Sequence, residues 1–106
     1  MSMDTLKRLE ATITERLAAD PGSSYVASLK AKGLPTIARK LGEEATEAVV
    51  AALSGSDEEL VGEAADVLFH LSVLLAAKGI SLEQVMAELE RREGTSGIAE
   101  KASRSA

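Results

Sequence analysis

An all-α domain is the fold this sequence predicts. Aromatic residues are only 2% of the chain, so the core must come from Leu, Val, Ile and Ala, a supply that suits helices better than sheets. Apolar residues recur at spacings of three and four in several runs. Those runs are separated by strong punctuation: Asp20-Pro21-Gly22-Ser23, Gly33, Ser54-Gly55-Ser56-Asp57 and Gly79. At 106 residues the chain fits one domain, expected over residues 1–94, with 95–106 as a tail.

The first helix opens at Asp4, which can cap it, and Leu6, Leu9, Ile13 and Leu17 form its apolar face. After the Asp20–Ser23 break, a short helix is expected through Tyr25–Leu29 to Gly33. Pro35 suits the first turn of the next, long helix, whose stripe is Ile37, Leu41, Ala45, Ala48, Val49 and Ala52 and which Gly55 ends. Ser56 or Asp57 caps the following helix, and Glu58 and Glu59 favour its N-terminal end. That helix runs to about Lys78, and Gly79 suits its C-terminal cap. Ser81 with Gln84 forms a possible capping box for a last helix, with Leu82, Val85, Met86 and Leu89 on its apolar face. From Gly94 periodicity is lost, and a mobile tail is expected.

Residues Val61 to Ala77 are apolar on nearly every side, so that helix needs cover on more than one face. A homodimer supplies it: the two long helices form a hairpin, and two hairpins complete a four-helix-type bundle, with the other helices peripheral. The other arrangement is a monomeric bundle with this helix at its centre.

Charge and composition exclude several classes. A net charge of -5 and a pI near 4.9 speak against general nucleic-acid binding. The charged N-terminus has no signal-peptide core, and the apolar run Val67–Ala77 is too short to span a bilayer, so a cytoplasmic protein with no membrane association is expected. Cysteine is absent and His70 is the single histidine, which argues against disulfides and zinc. His70 itself reads as a hydrogen-bonded core residue.

Chemistry concentrates between Lys40 and His70. Glu44 and Glu47 are three apart on one helix, Glu63 and Asp66 three apart on the next, so each pair shares a face. Either pair alone reads as solvated surface charge. Glu63 and Asp66, however, interrupt an apolar helix, where ionised carboxylates are costly unless paired or coordinated. In an antiparallel hairpin all four meet. A hard divalent cation, Mg²⁺ or equally Mn²⁺, removes both their desolvation and their repulsion. Such ions usually also hold phosphates, and Lys30, Lys32, Arg39 and Lys40 lie nearby in sequence. No P-loop or nucleophile-elbow motif occurs, which leaves metal-assisted attack of water on a phosphoanhydride.

Glu44-x-x-Glu47 with Glu63-x-x-Asp66 resembles the signature of the all-α NTP pyrophosphohydrolase (MazG-like) superfamily. The flanks are more specific. Ser24-Tyr25-Val26-Ala27-x-Leu29-x-x-Lys32-Gly33, Ile37-Ala38-x-Lys40-x-Gly42-Glu43-Glu44, Glu63-Ala64-Ala65-Asp66-Val67-Leu68-Phe69-His70 and the tail from Ser96 to Arg104 resemble the phosphoribosyl-ATP pyrophosphohydrolase family. The resemblance implies Mg²⁺-dependent hydrolysis of phosphoribosyl-ATP to phosphoribosyl-AMP and pyrophosphate, the second step of histidine biosynthesis, by a homodimer. It implies Glu44, Glu47, Glu63 and Asp66 as metal ligands, and Glu43 as a further ligand or water-positioning base. Lys32, Lys40, Lys101 and Arg104 are implied as substrate contacts. The chain lacks the cysteines of the cyclohydrolase domain fused to some members, so a separate cyclohydrolase would act next. Two rival readings use the same residues: a house-cleaning NTP pyrophosphatase on the same scaffold, and a non-catalytic helical dimerisation module with solvated acidic pairs.

Overall fold

The computed structural model describes residues 4–105; residues 1–3 of the expected domain and residue 106 of the expected tail lie outside the described residues. The elements are α1 (Asp4–Leu17), α2 (Tyr25–Lys32), α3 (Leu34–Ser54), α4 (Asp57–Ala77), α5 (Leu82–Arg91) and α6 (Gly97–Ser105), with no strand among the described residues. The all-α class is therefore borne out.

Local chemistry explains the boundaries. The Ser24 hydroxyl accepts from the Ala27 N–H (3.2 Å) and starts α2. Ser56, rather than Asp57, caps α4, and Glu59 completes a capping box by accepting from the Ser56 N–H at 3.2 Å. The end of α4 is a Schellman turn. Ile80 N–H donates to the Leu75 carbonyl (2.9 Å) and Gly79 N–H to the Ala76 carbonyl (3.0 Å). Gly79 there has φ of 72°, a conformation an L side chain resists. The Ser81–Gln84 capping box forms as expected, and Glu10 of α1 reaches across to accept the Leu82 N–H at 2.7 Å, tethering the start of α5.

The core lies at one end. Ile13, Val26, Leu29, Ile37 and Val73 are buried together, flanked by Leu9, Leu17, Phe69, Leu74 and Ala76. Thus α1, α2, the start of α3 and the C-terminal half of α4 close on one another. Beyond this core α3 and α4 continue as a two-helix hairpin. Its stripe differs from the sequence expectation: Ala51 is buried, while Ala45, Val49 and Ala52 are exposed. The hairpin has too few neighbours within one chain to cover a full stripe. Val49, Val50, Leu53 and Val61 all face outward, Leu53 at 83% exposure. By length and composition α4 is apolar enough to cross a membrane, with mean hydropathy of 1.7 over 18 residues, although its run from 67 to 77 alone is too short. It packs instead along α3 and α1.

The chain beyond Gly94, where no element was expected, carries α6. Apolar periodicity missed it because an ion-pair cluster holds it. The Glu100 side chain is 6% exposed and lies 2.7 Å from Arg91 Nη2, with Arg104 Nε at 3.6 Å and Arg92 Nε at 3.9 Å. Arg91 and Arg92 also bind Glu88 and hold its carboxyl down at about 2, Arg91 contributing most. Replacing Glu100 with Ala is expected to strip α6 from α5 at a cost of about 1–2 kcal/mol, because charged hydrogen bonds are lost from half-exposed partners. Faster amide exchange over residues 97–105 and new tryptic cleavage at Lys101 and Arg104 would report it; unchanged protection would refute it.

Candidate active site

The hairpin brings the acidic pairs together. One carboxylate oxygen from each of Glu44, Glu63 and Asp66 lies within 4.8 Å of the others. Glu47, one turn beyond Glu44 on α3, lies near enough to push both the Glu44 and the Glu63 carboxyls up. The group sits where the closed core gives way to the two-helix hairpin. Glu44 and Glu63 are half-buried, Glu47 and Asp66 exposed. The exposed Glu47 and Asp66 leave the cluster open to a ligand.

Electrostatics separates these groups from ordinary surface acids. Burial is the main cause raising the Glu63 carboxyl to about 7, followed by the hydrogen bond and charge of Glu47 and then of Glu44. Glu44 is raised too, first by burial and then by Glu47 and Asp66. Two oxygens, Glu44 Oε2 and Glu63 Oε2, are buried without a hydrogen-bond partner. Orphaned buried acceptors are costly, and this donor set is all oxygen. Both features fit a hard divalent cation, which takes carboxylate oxygens and tolerates waters in its remaining positions.

The other expected residues fall into distinct places. Glu43 turns away from the cluster, as its 100° offset from Glu44 requires. It pairs with Arg39 (3.5 Å) and Lys40 (3.6 Å). Together with Arg39, Gly42, Thr46 and Glu47 it lines an open groove of about 630 Å³ beside the acidic site. A second hollow, about 290 Å³, runs from Glu47 and Glu63 to Ser54 and Glu59 at the hairpin tip. Lys32 is exposed in the last turn of α2. Lys101 and Arg104 lie on α6, and Arg104 faces Glu100.

His70 is the core histidine expected, 6% exposed. Its partners were not legible: Nδ1 lies 2.8 Å from the Asp66 carbonyl oxygen and Nε2 lies 3.1 Å from the Tyr25 hydroxyl. The first contact is one turn back on the same helix, and nothing in the sequence marks Tyr25, 45 residues away, as the second.

An all-helical chain that gathers carboxylates from both arms of a hairpin, beside a groove bordered by Arg39, has the arrangement expected of the all-α pyrophosphohydrolase class. The family described as phosphoribosyl-ATP pyrophosphohydrolase matches residues 6–93, and the chain belongs to that family. It is 71% identical over 102 residues to a phosphoribosyl-ATP pyrophosphatase of Erythrobacter litoralis, covering 96% of this chain and 98% of that one. The corresponding enzyme of Novosphingobium aromaticivorans is 67% identical over 102 residues, covering 96% and 95%. That of Rhizorhabdus wittichii is 63% identical over 100 residues, covering 94% of each chain.

Proposed function

We infer that this protein hydrolyses the α–β phosphoanhydride of phosphoribosyl-ATP, adding one water across it to give phosphoribosyl-AMP and pyrophosphate, the second step of histidine biosynthesis. The observation that carries this reading is the convergence of Glu44, Glu63 and Asp66 within 4.8 Å in a chain of this family. Glu44, Glu47, Glu63 and Asp66 would hold Mg²⁺, or Mn²⁺ in its place. When bound, the ion polarises the phosphoryl oxygens and neutralises the charge that builds on the departing pyrophosphate.

The chain's own residues supply the rest. Glu43, which pairs with Arg39 and Lys40 on the neighbouring face of α3, would turn to the bound substrate to orient the attacking water or take its proton. Lys32 and Lys40 contact substrate phosphates, and Lys101 and Arg104 close over them when α6 moves with substrate. Arg104 must then leave Glu100 or share it, so the ion-pair cluster that holds α6 also limits its movement. The enzyme works in the cytoplasm. The deciding experiment follows pyrophosphate release from phosphoribosyl-ATP and from a panel of dNTPs, with and without Mg²⁺, and identifies the products. Preference for a dNTP would replace this reading with that of a house-cleaning pyrophosphatase.

The active form is a homodimer in this proposal. The outward Val49, Val50, Leu53 and Val61, and the half-exposed Leu68, support it, since a monomer seldom leaves so much apolar surface on one hairpin. The wild-type protein is expected to sediment at twice the 11.1 kDa chain mass. Leu53→Glu or Val61→Glu should weaken association at least about tenfold while helicity is kept, because a charge in an apolar interface goes unpaired. A wild-type monomer at micromolar concentration would refute the dimer.

A further inference from the structure

We propose that the Tyr25–His70 hydrogen bond is a strut that sets where α2, with Lys32 on its last turn, stands relative to the acidic face of α4. This rests on the reading of Lys32 as a phosphate contact. Tyr25 is the first residue of α2 and Lys32 the last. Seven residues make nearly two full turns, so both lie on one side of α2. His70 lies one turn beyond Asp66 on α4, about 6 Å along the axis at 1.5 Å per residue. The bond between Tyr25 and His70 therefore joins the side of α2 that bears Lys32 to the side of α4 that bears Asp66.

The hydrogen-bond chemistry makes the strut directional. The Asp66 carbonyl can only accept, so the His70 ring carries its proton on Nδ1, and in the neutral ring Nε2 accepts from the Tyr25 hydroxyl. The imidazole is thus fixed in tautomer and orientation from the α4 side, and the tyrosine hydroxyl has one aligned acceptor. Val26 and Leu29 already bury α2 in the core. Apolar packing is non-directional, however, and allows small slides and rotations that a hydrogen bond resists. The tyrosine ring is held separately, stacked on Phe69 at 6.2 Å between centroids, and remains half-exposed. Removing the hydroxyl alone therefore cuts the strut and spares the packing.

The test is a double-mutant cycle between Tyr25→Phe and Lys32→Ala. It is read as kcat and KM on phosphoribosyl-ATP and, independently of turnover, as calorimetric binding of magnesium pyrophosphate. Tyr25→Phe is expected to raise KM and weaken pyrophosphate binding about three- to tenfold, the scale of one hydrogen bond, with kcat nearly unchanged and Tm within a few degrees of wild type. In the Lys32→Ala background it should add nothing, because Tyr25 acts through Lys32. His70→Asn, whose amide can still donate to the Asp66 carbonyl but falls short of Tyr25, should reproduce the effect and stands in if Tyr25→Phe does not fold. The proposal is overturned by an unchanged KM, by additive effects in the double variant, or by a fall in Tm and kcat together with KM constant. If wild type ignores phosphoribosyl-ATP but binds pyrophosphate with the same coupling, the strut stands and the substrate reading fails. If wild type binds no pyrophosphate, both fall.

Discussion

Replacing Glu63 with Gln is expected to remove turnover by about 10²–10⁴-fold while leaving the metal-free fold at least as stable as wild type. The two effects have one source. Glu63 carries a carboxyl that burial and the neighbouring Glu47 and Glu44 push up to about 7. Its Oε2 is buried and has no donor. In the metal-free protein this charge is a liability, and the neutral amide is nearly the same size and can donate to Glu47 or Glu44. With a divalent cation the same charge is an asset, because anionic oxygen binds the ion and an amide binds it weakly. Wild type should therefore gain several degrees in Tm on adding Mg²⁺, since a ligand that binds only the folded state stabilises it, and Glu63→Gln should lose most of that gain. Asp66→Asn should lose turnover similarly, with less stabilisation of the metal-free form, because Asp66 is exposed. A non-catalytic dimerisation module behaves otherwise, with a mild outcome for both substitutions and no Mg²⁺ effect on Tm. That pattern would sink the metal site.

The acidic hairpin was legible because its logic is local. Spacings of three place Glu44 with Glu47 and Glu63 with Asp66, and the short turn at Ser54–Asp57 leaves the helices little choice but to run back along each other. The apolar setting of Glu63 marks it as unusual from sequence alone. Capping was legible for the same reason: Ser81 with Gln84 is a four-residue motif, while the equivalent box of Ser56 and Glu59 was blurred by Asp57, an equally good cap in isolation. What escaped was long-range or polar. Tyr25 finds His70 across 45 residues through the meeting of two helices, which no periodicity encodes. The α6 helix is held by Glu100 among arginines, an arrangement that alternation of apolar residues does not register. The α3 stripe is only partly buried, for a third reason. Ala45, Val49 and Ala52 are spaced for burial, yet a single chain gives them nothing to pack against.

The pH dependence of the metal-free protein should carry the same signature. For Glu63 the folded carboxyl, at about 7, lies above the ordinary unfolded value of about 4.3. Between those two values the folded state holds more protons than the unfolded chain, so stability falls as pH rises. The contribution is complete below about pH 4.3 and lost by the time pH has passed through about 7. Glu88 runs in the opposite sense. Its folded carboxyl, at about 2, lies below the unfolded value, so its contribution is present above about pH 4.3 and is lost as pH falls toward 2. From Glu63 the metal-free Tm is therefore expected to decline toward neutrality. Saturating Mg²⁺ should flatten that decline, since the ion binds the deprotonated site and displaces its proton. The apparent Mg²⁺ affinity should accordingly climb with pH up to about 7 and level off above it. Thermal melts from pH 4 to 8 with and without Mg²⁺ measure both, and Glu63→Gln should remove the metal-free slope. A flat metal-free Tm between pH 5 and 8, together with a pH-independent Mg²⁺ affinity, would show that Glu63 is an ordinary surface acid. The cation would then have to be held without it.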